Sequence, residues 1–126
     1  LDRVKLPSIG LPSALSPALI AFLGRLRASL AQCGRVYAAG RPDAVLGMGG
    51  FTSIAPLIAA WRRGIPAFLH ESNAIPGKAN RLAARFCRSV FLGFAECARH
   101  FPGRSTLVTG TPIRRELTDG VPGSAA

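Results

Sequence analysis

Asp43 to Ser53 reads DAVLGMGGFTS, and Ile65 to Asn73 reads IPAFLHESN. In each stretch a short apolar run breaks off into glycine or polar residues, the form of a buried strand that ends in a loop. Ser89–Leu92 and Thr106–Thr109 repeat it, so strands are predicted at Ala44–Met48, Ala67–His70, Ser89–Leu92 and Thr106–Thr109. Between them, apolar residues at helical spacing predict helices at about Ser53–Arg63, Lys78–Arg88 and Glu96–Phe101. Strand and helix in strict alternation predict an α/β fold. The expected form is a parallel sheet with right-handed crossovers and helices on both faces.

Upstream of these elements, Ser16 and Pro17 form an N-cap and first-turn pair, and Leu19, Phe22, Leu23, Leu26, Leu30, Cys33 and Tyr37 recur at helical spacing. An amphipathic helix is expected from there to about Gly40. Residues 1–16 are rich in Pro, Gly and Ser and are expected to be a loop-like lead-in. Residues 17–118 are then one partial domain, with 119–126 a linker or truncated tail. With 126 residues there is room for one modest core. Neither end has the form of a natural terminus, so the chain is expected to be a piece of a longer protein.

The formal charge is +10, nearly all of it arginine, since Lys5 and Lys78 are the only lysines. Such a surface attracts phosphate-bearing substrates, acidic headgroups or nucleic acid, and charge alone does not choose among them. No apolar run approaches the roughly 20 residues that span a bilayer. Cys33, Cys87 and Cys97 are odd in number and contain no C-x-x-C pair, which argues against a disulfide framework or zinc site and for small buried thiols. Cys97 and His100 lack the two further ligands of a tetrahedral metal site, so no metal and no cofactor is expected.

In open parallel sheets, ligands bind beyond the carboxyl ends of the strands. After the first strand come Gly49 and Gly50, whose lack of side chains opens backbone amides to an anion, with Thr52 or Ser53 to cap the next helix and Pro56 in its first turn. A plain tight turn explains a glycine pair equally well, because neither G-x-G-x-x-G nor G-K-[ST] is present. After the second strand come His70 and Glu71, an imidazole beside a carboxylate that can bind hydroxyls or move a proton. A satisfied structural histidine is the plainer alternative. Asn73 follows, and Asn80 sits in the first turn of the next helix, so four polar side chains are expected at one corner. After the last strand come Gly110, Thr111, Pro112 and Arg114.

Three ordered blocks, GMGGFTSIAPLIAAW (47–61), GIPAFLHESNAIPGKANRLAA (64–84) and VTGTPIR (108–114), resemble the MurG family of bacterial glycosyltransferases. The likeness is clearest from about Arg41 to Glu116. It implies part of the Rossmann-like N-terminal domain of a GT-B enzyme, the half that holds the lipid-linked acceptor. The implied reaction transfers N-acetylglucosamine from UDP-N-acetylglucosamine to undecaprenyl-diphosphate-linked N-acetylmuramyl-pentapeptide, with inversion, on the cytoplasmic face of the bacterial inner membrane. By resemblance, Gly49, Gly50 and Asn80 lie on the acceptor side, Asn73 and Arg114 contact the UDP-sugar, and His70 and Glu71 are catalytic candidates. Phe51 stands where the family often has tyrosine, and Ser72 where it often has glutamine. The family's other glycine-rich loop, with the histidine often proposed as base, would lie upstream, so no catalyst is assigned and this chain alone is expected to be inactive.

Lys78, Arg81, Arg85 and Arg88 share one face of the predicted third helix, near Arg62, Arg63 and Trp61, a patch suited to an anionic membrane surface or simply a solvated face. Two further readings are a non-catalytic basic module for lipid or nucleic acid, and a related lipid glycosyltransferase with another acceptor. No aromatic platform accompanies the arginines, so nucleic acid is not expected as a partner.

Overall fold

A computed structural model describes residues 3–6 and 17–112. Helix α1 (Pro17–Ala39) leads to strand β1 (Val45–Gly47). A 3₁₀ turn (Phe51–Ser53) runs into helix α2 (Ile54–Arg62), and strand β2 (Ala67–Glu71) follows. Helix α3 (Lys78–Ala83) tightens into a 3₁₀ turn (Ala84–Phe86) before strand β3 (Ser89–Leu92). A 3₁₀ segment (Ala95–His100) connects to strand β4 (Ser105–Val108). The strands form one parallel sheet in the order β1-β2-β3-β4, with Val45 opposite Ala67, Leu69 opposite Val90, and Leu92 opposite Val108.

The predicted elements are all present, with shifts at their ends. The helix expected over Lys78–Arg88 closes early as a 3₁₀ turn, and Glu96–Phe101 is 3₁₀ throughout. Both connections are short, and the tighter helix spans about 2.0 Å per residue rather than 1.5 Å. Ser16, the expected cap of α1, lies outside the described residues, as do Ile113 onward and most of the lead-in. Of that lead-in, Lys5 is tied down where its carbonyl accepts from Gln32 Nε2 at 3.0 Å.

Alternation along the strands sends Ala67, Leu69, Val90 and Leu92 to one face, where they meet Leu57, Ala60, Ala83 and Phe101 in a single buried cluster. Leu57, Leu69, Val90 and Leu92 are fully buried, each contributing about 1.5–3 kcal/mol by removal from water. Gly47 permits this packing: a Cβ there would stand 2.8 Å from Leu57 Cδ1. A sheet in sequential order with right-handed crossovers carries every connection on the same side. Among the described residues, helices therefore cover one face, not both. The other face carries Leu46 and Leu107, both more than half exposed, with Phe68 and Phe91 stacked between them at 5.5 Å. Helix α1 packs on α2 through Cys33, Ala55 and Ala59, aided by Leu26, Leu30 and Tyr37. No helix among the described residues is long and apolar enough to cross a membrane.

Candidate functional site

The carboxyl ends of β1, β2 and β3 meet at one corner, and Glu71 is its centre. Its side chain is 1% exposed, a costly position for a carboxylate unless its oxygens are hydrogen-bonded. They are: Oε1 accepts from Asn73 N and Asn73 Nδ2, both at 2.8 Å, and Oε2 accepts from Asn80 Nδ2 at 2.6 Å. A carboxylate only accepts, so it fixes which end of the Asn80 amide faces it. Asn80 Oδ1 is left pointing at Gly50, whose N–H donates to it at 3.0 Å. The buried acid on β2 thus sets the glycine turn after β1 through one asparagine of α3.

Gly49 and Gly50 have φ of 90° and 78°, a region that other residues enter only under strain. The turn is fastened a second time, where Ser53 Oγ donates to Gly49 O at 2.7 Å and Ser53 N to Gly50 O at 3.2 Å. The cap expected of Ser53 is therefore not made: its hydroxyl reaches back to the turn instead of forward to the helix. The open-amide expectation is also corrected at Gly50, whose N–H is spent on Asn80. By position, a helical start leaves the amides of Phe51 and Thr52 without an intrahelical partner.

His70 points to the opposite face from Glu71, as neighbours on a strand must, so the two do not act on each other. His70 Nε2 lies 2.9 Å from Gly110 O, an acceptor, and so carries the proton; Nδ1 then accepts from Ser72 Oγ at 3.2 Å. The ring is 3% exposed and pins the loop after β4 to the end of β2. Of the four polar side chains expected together, Glu71, Asn73 and Asn80 form one network and His70 a second. Asn73 is exposed, and only its amide nitrogens are bound to Glu71, leaving its side-chain oxygen available at the surface. Arg114 lies outside the described residues.

Gly93 is a position that the strand pattern did not reveal. A Cβ there would stand 2.6 Å from Thr111 Oγ1 and 3.2 Å from Ser72 O, so the loops after β2 and β4 close over β3 only because the residue between them has no side chain. Its place directly after an apolar run, like that of Gly49 two residues beyond Gly47, was the available signal.

The helical side of the molecule is basic and only partly filled. A groove of about 830 Å³ between α1 and α2 has Leu23, Leu26 and Leu30 on its floor and Arg27, Arg35 and Arg62 around it. Arg63 spans it, donating to Gly34 O at 2.9 Å. Trp61, 56% exposed, packs edge-on to Phe86 at 5.3 Å, which joins this surface to the 3₁₀ turn after α3. The cysteines are buried and free; burial raises the Cys33 and Cys97 thiols and pushes Cys87 up to about 11.

The model of the glycosyltransferase family 28 N-terminal domain matches residues 1–92. A UDP-N-acetylglucosamine–N-acetylmuramyl-(pentapeptide) pyrophosphoryl-undecaprenol N-acetylglucosamine transferase of Pelobacter propionicus is 52% identical over 79 residues, covering 63% of this chain and 21% of that protein. The protein of the same name in Shouchella clausii is 43% identical over 98 residues, covering 78% and 28%. The crystal structure of Acinetobacter baumannii MurG superposes with a TM-score of 0.65 at 28% identity, covering 73% of this chain and 27% of that one. The S. aureus MnaA–UDP co-structure, at 24% identity and a TM-score of 0.61, shares the fold. The chain spans 21% and 28% of the lengths of the two named transferases. Parallel sheet, glycine turn and matched family model agree: the chain belongs to glycosyltransferase family 28, within its N-terminal domain.

Proposed function

We propose that this chain is the acceptor side of an enzyme that transfers N-acetylglucosamine from UDP-N-acetylglucosamine to undecaprenyl-diphosphate-linked N-acetylmuramyl-pentapeptide, in peptidoglycan synthesis. Residues 17–118 belong to the acceptor half, and 119–126 are a linker or truncated tail. The observation that carries the reading is the corner where the loops after β1, β2 and β4 close on one another, in a chain whose named relatives are such transferases.

In this reading the muramyl 4-hydroxyl gives its proton to a base supplied by the rest of the full-length enzyme, attacks the anomeric carbon of N-acetylglucosamine with inversion, and displaces UDP. The glycine turn, with the donors of Phe51 and Thr52 and the dipole of α2, favours the acceptor diphosphate. Asn73 offers its side-chain oxygen to a sugar hydroxyl, and Arg114 pairs with a phosphate of the donor and balances charge on departing UDP. His70 and Glu71 are positioning groups, because both ring nitrogens and both carboxylate oxygens are already engaged. The basic helical side rests on anionic lipid at the cytoplasmic face of the inner membrane, where the acceptor's tail is anchored.

The test is an assay of the full-length parent with UDP-N-acetylglucosamine and the lipid-linked acceptor. Asn73→Ala and Arg114→Ala are each expected to raise KM for the nucleotide sugar. Unchanged kinetics in both variants would refute the donor contacts, and absence of transfer by the wild type would refute the function.

A further inference from the structure

A second hollow opens beside the glycine turn. About 140 Å³ in volume, it lies between α1, α2 and α3, with walls that include Phe22, Phe51, Ile58, Leu82 and Phe86. Among the described residues, Lys78 is the one charged residue that lines it. Phe51 directly follows Gly50, and Lys78 precedes Asn80 by two residues, so the elements that fasten the turn also wall the hollow. Phe22 and Phe51 meet edge to face at 6.4 Å, which joins α1 to the turn across it.

Apolar cavities of about 150 Å³ stay free of water and take a six-carbon hydrocarbon such as benzene. A hollow of this size and lining therefore suits five or six carbons. Its single cation calls for an anionic group at the end of that hydrocarbon, and no acid lies in α1, α2 or α3 to compete. A ligand with a short hydrocarbon joined directly to a phosphate or diphosphate meets both demands.

We propose that this hollow holds the first isoprene unit of the acceptor's polyprenyl chain, with Lys78 at the phosphate nearest the lipid. The proposal rests on the acceptor reading above and deepens it, since it assigns recognition of the lipid to three helices of this domain. The diphosphate at the glycine turn and the first isoprene in the hollow then fix the acceptor from both sides. Leu82 is 44% exposed and stands on the hollow's wall, so it can be enlarged without entering the core.

The experiment uses the full-length enzyme with two acceptors, both muramyl-pentapeptide diphosphates, one ending in a polyprenyl chain and one in a methyl ester. Leu82→Trp fills the hollow and is expected to raise KM for the prenyl acceptor about tenfold. KM for the methyl acceptor and for UDP-N-acetylglucosamine should stay unchanged, as should the thermal midpoint. Lys78→Ala should weaken both acceptors. In a binding arm, geranyl diphosphate should protect a cysteine introduced by Leu82→Cys from a thiol reagent, while inorganic diphosphate and decanol should not. Equal slowing of both acceptors by Leu82→Trp, no effect on either, or equal protection by decanol would overturn the proposal. A hollow filled by the chain's own leading residues would show as a Leu82→Cys thiol shielded without ligand, and would also overturn it. A wild-type enzyme without transfer to any lipid diphosphate would instead sink the function on which the assignment depends.

Discussion

The corner at the carboxyl ends of the strands and the helical side behind it are both polar surfaces, but they are built in opposite ways. At the corner, one buried carboxylate accepts three N–H groups, and one of their owners, Asn80, in turn holds a glycine turn. On the helical side, arginines stand exposed around an apolar floor, and no acid occurs anywhere in α1, α2 or α3. A network with its hydrogen bonds satisfied holds one geometry, whereas long exposed cations adapt to whatever anion approaches. The corner therefore suits a ligand of fixed shape, and the helical side a soft, extended one.

That contrast breaks most severely at Asn80. Replacing it by alanine leaves one oxygen of the buried Glu71 without its donor, at a cost of about 1–3 kcal/mol, and releases the exposed Gly50 N–H to water. In the full-length enzyme, transfer should fall by roughly tenfold to a hundredfold. Urea denaturation of the same variant should report the stability loss. Gly93→Ala should come next: its new Cβ meets Thr111 and Ser72, and overpacking of this kind costs about 1–3 kcal/mol. A lowered thermal midpoint, with faster proteolysis in the loop after β4, is the expected outcome.

The helical side should respond in the reverse manner. Arg27→Gln, Arg35→Gln and Arg62→Gln together should weaken binding to vesicles rich in acidic lipid by about 1 kcal/mol per arginine, as measured by flotation. Stability should change by no more than about 0.5 kcal/mol per site. Equal binding to acidic and neutral vesicles would remove the electrostatic role from this surface.

The last effect is confined to alkaline pH. Cys87 ionises near 9 when unfolded and near 11 when folded, so its contribution to stability is complete below pH 9. It is then lost as pH rises toward 11, because the unfolded chain gives up its proton first. A shallow fall in thermal midpoint above pH 9, weaker in Cys87→Ala, would show it. Slow thiol labelling at pH 8 would agree.

Much of this architecture was legible in the sequence because buried strands and amphipathic helices have distinct periods. The strands expected to end at Met48 and His70 end within one residue of those positions, at Gly47 and Glu71, and Lys78 starts a helix as its spacing requires. The layering was less legible. Alternation shows which residues share a face of a strand, but the side taken by each crossover depends on strand order, which periodicity does not encode. The corner was legible as a set of residue types but not as a circuit. His70 and Glu71 are adjacent in the chain, which suggested a pair, yet the two-residue repeat of a strand parts them. Glu71 reaches Asn80 across nine residues and Asn80 reaches Gly50 across thirty, distances in sequence that no local pattern records. Gly93 was missed because its constraint comes from Ser72 and Thr111 rather than from its neighbours.

If Glu71 acts on the glycine turn through Asn80, the two residues must fail as one. A double-mutant cycle of Glu71→Gln and Asn80→Ala in the full-length enzyme, read as kcat/KM for the lipid-linked acceptor across pH, tests this most directly. The expected result is that each single variant loses activity, that the double loses no more than the worse single, and that the pH profile keeps its shape in Glu71→Gln. Losses that multiply, or a limb of the pH profile that disappears with the Glu71 carboxylate, would contradict the positioning role and return Glu71 to the chemistry itself.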